Sequence, residues 1–424
     1  MDKIILHIDF NSYFATVEQQ ANPRLRGKPI GVTGGDRMKR TVLGAASVEA
    51  KKFGVKTGMQ IWEAKRLCPQ IILVSGDSDK YLETTKRFIN IIKDYSPYVE
   101  VFSIDECFLE LPPLAPSPVT LAKEIKQRIR SEIGEWITCS IGISYNKLMA
   151  KLAGSLNKPD GLVVIASEEE AIKVLDGVPL DEICGIGGRI KVRLNKMGLF
   201  NFKQLRAVPL DLLLFEFKSY GNFLYDASRG IDKRPVIPFY EKGEVKSVGH
   251  RHTIDHDTDD SKEIKQILLK LTEMVSRRLR AKKLVGRTVH CWIRYVLERE
   301  GVNVIHPPGG IASHLLFTGD GQQITIPYTS DGLEVFKACW KIFNQIWSGD
   351  KIRMVGVSIS NLKPIAPQNV SLLPESSRQE TIIKTLDKIN DKYGEFTLQR
   401  GILLESASIK RKPNPFLSDR RFRL

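Results

Sequence analysis

Residues 98–111 read YVEVFSIDECFLEL, two apolar runs of strand character that meet at an acidic pair, Asp105-Glu106. A second short apolar strand, KIILHIDF over 3–10, also carries an acid near its end, Asp9, followed by Phe10. A carboxylate inside an apolar strand is costly to bury unless it is paired or bound to a cation. Three carboxylates converging from neighbouring strands suit Mg²⁺, a hard ion that takes a few carboxylates plus water and substrate phosphates. A pair of such ions about 4 Å apart clamps the attacking and leaving oxygens of a phosphoryl transfer. By spacing alone, Asp105-Glu106 reads at least as readily as the solvated turn of a hairpin.

Working outward from these strands, residues 13–22 look helical and the small, Gly-rich stretch 31–46 suits hairpins and turns. Helical patterns follow over 47–54, 59–68, 79–94 and 119–133, with a strand over 136–144. The order predicts a mixed α/β layer on an antiparallel sheet. From about 167 to 235 the pattern is wholly helical, and 236–246 (VIPFYEKGEVK) reads as a linker. Residues 247–365 alternate long helices with strands, a separate α+β domain; 366–377 reads as a loop and 378–394 as an amphipathic helix before a basic tail.

Composition narrows the function classes. The 424 residues carry a formal charge of +15, with 42% hydrophobic and 27% charged residues, as in an ordinary globular protein. No stretch approaches the roughly 18–20 continuous apolar residues of a membrane span, and MDKIILHIDF is not a signal peptide, so a cytoplasmic address is expected. The charge excess points to a polyanionic partner. Part of it sits in 243–365, with 18 basic and 13 acidic residues, and part in 409–424, with six and one. The six cysteines (68, 107, 139, 184, 291, 339) show no CxxC, which argues against a zinc module or a disulfide framework.

The strings IDFNSYFATVE (8–18), SIDECFLEL (103–111) and NKPDG (157–161) together resemble the Y-family, or translesion, DNA polymerases, of the DNA polymerase IV type. The resemblance extends in order through KFGVKTGM (52–59), GIGGRIKVRLNKMGL (185–199) and KSVGHRHT (246–253), and more weakly through 386–404. It implies a multidomain α+β right hand. A ferredoxin-like palm would occupy 1–12 and 78–166, small fingers 13–77, and a helix-hairpin-helix thumb 167–235. The linker 236–246, an α+β little finger over 247–365 and a tail over 366–424 would complete it. The implied activity is low-fidelity, distributive, template-directed addition of dNTPs to a primer 3′-hydroxyl, without proofreading, at lesions. A catalytically silent DNA-binding relative and a nucleotidyl cyclase are the competing readings.

Residue by residue, the resemblance assigns two Mg²⁺ ions, with Mn²⁺ as an alternative, to Asp9, Asp105, Glu106 and the backbone carbonyl of Phe10. Phe14 falls on the steric gate against a ribose 2′-hydroxyl, with Tyr13 beside it under the sugar. Lys158 falls on the triphosphate lysine, and Val42, Gly44, Ala45 and Ala46 on the small-residue roof over the nascent base pair. The fingers depart from the family's S-Y-E-A-R: here Ser47-Val48-Glu49-Ala50-Lys51 lacks the tyrosine hydroxyl and the bidentate fork of an arginine. Lys51 keeps the charge. DNA contacts are expected from Gly185, Gly187, Arg189 and Lys191 in the thumb, and from Lys246, Arg277, Arg278, Arg280, Lys282, Lys283 and Arg287 in the little finger. Gln368, Leu372 and Leu373 in QNVSLL resemble the motif that docks polymerases on a sliding clamp, with Leu-Leu in place of the commoner Leu-Phe. The implied partners are primer-template DNA, dNTPs and a sliding clamp, for a monomer in the cytoplasm that joins the nucleoid during synthesis.

Overall fold

The computed structural model describes residues 3–34, 41–112, 116–241, 243–296, 319–365 and 374–403. They divide into two compact units, one from the stretch Met1–Lys242 and the other from Gly243 onward. In the first unit the chain runs through β1 (Ile4–Phe10), α1 (Tyr13–Ala21), β2 (Ile30–Thr33), β3 (Leu43–Ala46), α2 (Val48–Lys51) and α3 (Ile61–Leu67). Then come β4 (Ile72–Ser75), α4 (Ser78–Lys93), β5 (Val99–Val101), β6 (Glu106–Leu111), α5 (Pro118–Arg128), β7 (Cys139–Ser144), α6 (Lys147–Leu156) and β8 (Leu162–Ile165).

Strand β1 is apolar on both sides because it is the middle strand of a five-stranded sheet, ordered β5-β6-β1-β7-β8. Ile5, Leu6, Ile8 and Phe10 are all buried, as expected for a strand covered on both faces. It runs antiparallel to β6 and to β7, so that Asp9 lies opposite Glu106 on one side and Ser140 on the other. Strand β7 pairs parallel to β8 through the crossover helix α6. That helix lies hard against β7 at two glycines. A Cβ on Gly142 would fall 2.1 Å from the carbonyl oxygen of Ala150 and 2.2 Å from the amide of Gly154. A smaller sheet, ordered β3-β2-β4, carries the Gly-rich stretch, with β2 antiparallel to β3 and parallel to β4.

The helical stretch folds as α7 (Glu168–Asp176), α8 (Gly188–Lys196), α9 (Phe202–Ala207), α10 (Leu210–Phe217) and α11 (Tyr220–Ala227). These share a core with Leu148, Met149 and Leu152 of α6. The first helix expected before the Gly185-Gly187 hairpin is only a 3₁₀ turn, Leu180–Glu182. Pro179 sets its start and Gly185, at φ 116°, turns the chain away almost at once. The expected linker also starts later than residue 236. Val236 is buried beside Ile5 and Phe108, and the amide of Phe239 donates to the carbonyl of Val99 at 2.8 Å.

The second unit holds β9 (Ser247–Thr258), α12 (Ser261–Ala281), β10 (Leu284–Tyr295), β11 (Gly319–Thr329), α13 (Gly332–Ile346), β12 (Ile352–Pro364) and α14 (Pro374–Tyr393). The strands form an antiparallel sheet ordered β11-β10-β12-β9. Val289, Cys291 and Ile293 of β10 and Val355, Val357 and Ile359 of β12 enter one core with α12 and α13. Strand alternation therefore turns His290, Trp292 and Arg294 to the opposite face.

The glycine contact between β7 and α6 yields a stability prediction. Gly142→Ala overpacks that contact and lowers stability by about 2–3 kcal/mol. Gly177→Ala, where the nearest atom is an ordinary 3.5 Å away, changes it by less than about 0.5 kcal/mol. Thermal or urea unfolding of the two variants measures both.

Candidate active site

The end of β1 and the turn before β6 are tied together by the amide of Phe10, which donates to the carbonyl of Asp105 at 2.9 Å. This bond, with the register of Asp9 on Glu106, brings all three acids of the sequence reading to one place. Beside them opens a cavity of about 700 Å³ whose wall includes Asp9, Phe10, Asp105, Lys158, Lys51 and Val48. Tyr13, Phe14, Gly44 and Ala45 line it too. Glu106, paired opposite Asp9, has a different environment. Its Oε2 meets the ring of His7 at 2.8 Å and also accepts from the ammonium of Lys151 on α6.

The electrostatics separate the acids. Burial pushes the Asp105 carboxyl up to about 6; the hydroxyl of Ser103 opposes this, while the charges of Asp9 and Glu106 add to it. Burial would also raise Glu106, but the His7 hydrogen bond and the Lys151 charge outweigh it and hold that carboxyl down to about 2. Asp9 is met by Lys158, whose Nζ lies 2.6 Å from its Oδ1. Lys51 is lowered from its ordinary value by burial and by the charge of Lys158. A carboxylate oxygen of Asp9, one of Glu106 and a nitrogen of His7 lie within 4.8 Å of one another, with the Asp105 carboxylate in the turn beside them. The donor set fits a hard divalent cation.

The turn that carries Lys158 is held by Asn11, which the sequence reading passed over. Its Oδ1 accepts from the amide of Asp160 at 2.8 Å and from the hydroxyl of Thr138 at 3.1 Å, while its Nδ2 donates to Ser140. Only the fold brings residue 11 beside residue 160, so no local pattern marks it. Helix α1 begins at Tyr13 after Ser12, which takes the left-handed conformation at φ 51°. The amides of Ala15 and Thr16 turn back to the carbonyl of Ser12, and Ser12, Tyr13 and Phe14 at the start of α1 line the cavity.

Phe14 is stacked on Tyr81 of α4, ring centroids 4.4 Å apart at 18°. The Tyr81 hydroxyl donates to Glu18 at 2.8 Å, and the other oxygen of Glu18 accepts from Lys80. Tyr13 points its hydroxyl into α4, donating to the carbonyl of Tyr81 at 2.7 Å. The aromatic pair is thus braced by a helix some 65 residues downstream, which the sequence reading did not connect to it.

The expected DNA contacts divide by environment. Gly185 accepts from the Tyr220 hydroxyl at 2.6 Å, and a Cβ on it would strike Phe223, so packing also requires glycine there. Gly187 is open and Arg189 is exposed, whereas Lys191 pairs with Asp181 at 2.7 Å. In the second unit Lys246, Lys283 and Arg287 are exposed and Lys282 is half-buried. Arg280 is gripped by both oxygens of Asp387 at 2.6 and 2.8 Å, and Arg277 by Asp391 and Glu395, all from α14 and the residues after it. Arg278 turns to β9, donating to the carbonyl of Gly249. The basic stretch of α12 is therefore largely matched within its own unit.

The sheet face away from α12 offers a different set. Trp292 lies opposite Gly356, which lies opposite Arg251, and the Arg251 guanidinium sits 5.0 Å from the indole centroid. Burial and the Arg251 charge lower both His290 and Arg294, a sign of crowded positive charge. Ser358 and Thr288 share this face by register. Gln368, Leu372 and Leu373, like the basic tail over 409–424, lie outside the described residues. Among the described residues no helix is long and apolar enough to cross a membrane.

Residues 8–155 match the model of the impB/mucB/samB family, and residues 245–372 match that of its C-terminal domain. The chain is 35% identical to DNA polymerase IV of Moorella thermoacetica over 414 residues, covering 96% of this chain and 98% of that relative. DNA polymerase IV of Pelotomaculum thermopropionicum is 34% identical, with 96% and 97% covered, and DNA polymerase IV 1 of Bacillus subtilis is 30% identical, with 98% and 97% covered. A solved Y-family DNA polymerase chimera shares the fold, with a TM-score of 0.68 at 24% identity over 85% of this chain and 99% of the chimera. With both family models matched in order and relatives of near-equal length aligned from end to end, the chain belongs to the impB/mucB/samB family of Y-family polymerases, of the DNA polymerase IV type.

Proposed function

We propose that this protein is a template-directed DNA polymerase that adds deoxynucleotides to a primer 3′-hydroxyl with release of pyrophosphate, at low fidelity, without proofreading and across damaged template. The observation that carries the reading is the meeting of Asp9 and Asp105 with Lys51, Lys158 and Phe14 around one cavity, with Glu106 paired opposite Asp9, in a chain of this family. In this reading the stretches 1–12 and 78–166 are palm, 13–77 fingers, 167–235 thumb and 247–365 little finger.

Asp9, Asp105, Glu106 and the carbonyl of Phe10 would hold divalent cations, Mg²⁺ by the hardness of the donor set and Mn²⁺ as its substitute. The chemistry supplied by such a pair is activation of the 3′-hydroxyl and neutralisation of the phosphates. The protein's own groups do the rest. Lys158 exchanges Asp9 for the triphosphate, and Lys51 adds charge beside it. The N–H groups at the start of α1 favour the same anion. Phe14, backed by Tyr81, fills the space of a ribose 2′-hydroxyl, and Gly44 and Ala45 leave room above the base pair. Val48 in place of a tyrosine, with Lys51 in place of an arginine, loosens the hold on the triphosphate.

For DNA contact in the second unit, we assign the open sheet face around Arg251, Trp292 and Arg294 in preference to the matched arginines of α12. Gly187, Arg189, Lys246, Lys283 and Arg287 are further phosphate contacts in this reading. A sliding clamp at Gln368–Leu373, a monomeric state and a cytoplasmic, nucleoid-associated life complete the proposal on sequence grounds.

Primer extension tests the reading. The parent protein should extend a primed template with dNTPs and Mg²⁺, and Asp105→Ala or Glu106→Ala should remove the activity; activity retained in either variant contradicts the assignment. The raised Asp105 carboxyl gives a pH prediction. Its folded pKa of about 6 lies above the ordinary carboxyl value of 3.8, so the metal-free protein loses stability from this group as pH rises from about 4 to 6. Asp105→Asn should therefore be more stable than the metal-free parent by about 2–3 kcal/mol at pH 7 and about equal to it at pH 4, by urea unfolding. On the DNA side, Arg251→Ala combined with Arg294→Ala should weaken duplex binding by about tenfold or more in low salt and flatten its salt dependence. Arg277→Ala, which loses only a contact to Asp391 and Glu395, should change it much less.

A further inference from the structure

The environment of Glu106 assigns a role to two residues that do not belong to the acidic set. His7 is on β1, almost wholly buried, its ring 4.8 Å from that of Phe108. Its Nδ1 is buried with no hydrogen-bond partner, and the helix α6 passes so close that a Cβ on Gly154 would lie 3.1 Å from it. A proton on Nδ1 would be a buried donor without an acceptor, so the ring carries its proton on Nε2 and donates it to Glu106 Oε2 at 2.8 Å. Lys151, one turn before Gly154 on the same helix, donates to that same oxygen. Its ammonium lies 5.0 Å from the ring centroid of Phe102, which holds the side chain over the end of the sheet.

Two donors from two different elements therefore converge on one oxygen of Glu106. We propose that His7 and Lys151 are positioning residues for the catalytic reaction, clamping Glu106 Oε2 so that Oε1 alone is presented to a divalent cation and the reacting 3′-hydroxyl. The inference rests on the polymerase reading of the site. A free carboxylate can rotate and offer both oxygens to one ion; a carboxylate with one oxygen tied to β1 and α6 offers a single oxygen in a single direction. Partners that orient a metal-binding group in this way typically account for about 10- to 100-fold in metal affinity or activity. The glycine contact between α6 and β7 gains a second purpose, since it sets the distance from which Lys151 reaches the sheet.

The test uses His7→Leu, which removes the donor, and His7→Gln, whose side-chain amide can supply an N–H near the place of Nε2. Lys151→Met and Lys151→Arg form the second pair, on a side chain more exposed than His7 and less costly to replace. Each full-length variant is checked for folding by thermal unfolding. Mn²⁺ binding is then followed by electron paramagnetic resonance without DNA or nucleotide, and kcat and KM for dNTPs are measured by primer extension. The expected result is a fall of about 10-fold or more in kcat for His7→Leu and Lys151→Met, with KM within about twofold, and recovery of most of it in His7→Gln and Lys151→Arg. Mn²⁺ binding should weaken in His7→Leu and recover in His7→Gln. Folded Leu and Gln variants that behave alike, whether both active or both impaired, would overturn the proposal, and so would a Gln variant that fails to recover Mn²⁺ binding, which would make His7 a ligand itself. If the parent fails to extend primers, the polymerase reading falls, while the Mn²⁺ comparison still decides what His7 does to Glu106.

Discussion

Three carboxylates gathered where the end of β1 meets the turn into β6 are the constraint around which the first unit is organised. Asp9, Asp105 and Glu106 repel one another and lose water, and each is handled by a separate device. Lys158 meets Asp9, the Ser103 hydroxyl meets Asp105, and His7 with Lys151 meets Glu106. Such an arrangement is costly to build without a cation, and the cost is visible in the raised Asp105 carboxyl. Such a site gains most when further positive charge arrives beside the acids.

The scaffold beneath that site is stiff where the chemistry needs it. Antiparallel pairing of β1 with both neighbours sets the acids in register, and the side chain of Asn11 locks the Lys158 turn to the end of the same strand. Phe14 is less buried than its neighbours, yet it rests on Tyr81, which Glu18 holds in turn. The Phe14 ring is thus backed by helix α4 and has little freedom to yield. Gly44 and Ala45 line the same cavity and present little side chain, and a Cβ on Gly44 would lie 3.8 Å from the Phe14 ring.

In the second unit, ion pairing decides which positive charges are already matched within the fold. The run SRRLRAKKLVGR looks in sequence like the natural phosphate-binding helix, with six cations and no acid. Yet the acids that neutralise Arg277 and Arg280 come from residues 387–395, more than a hundred positions away. The sheet residues Arg251, Trp292 and Arg294 are scattered among apolar neighbours and carry no such signature. Alternation along β10 and the register across β10, β12 and β9 gather them on one face.

Much of this protein was legible in its sequence. The strand–acid–strand pattern of 98–111, the acid at the end of 3–10 and the ordered motifs around them point to the fold class and single out the three acids that the fold brings together, because these depend on hydrophobic periodicity and on residue type at close spacing. The helix-hairpin-helix was half legible: its glycines were found, but the helix before them proved to be one 3₁₀ turn under the influence of Pro179 and Gly185. The tertiary structure alone decided which oxygen of Glu106 is tied down, which residue holds the Lys158 turn and which arginines are already matched. Those are relations between side chains far apart in the chain, set by register and packing, and no local pattern can carry them.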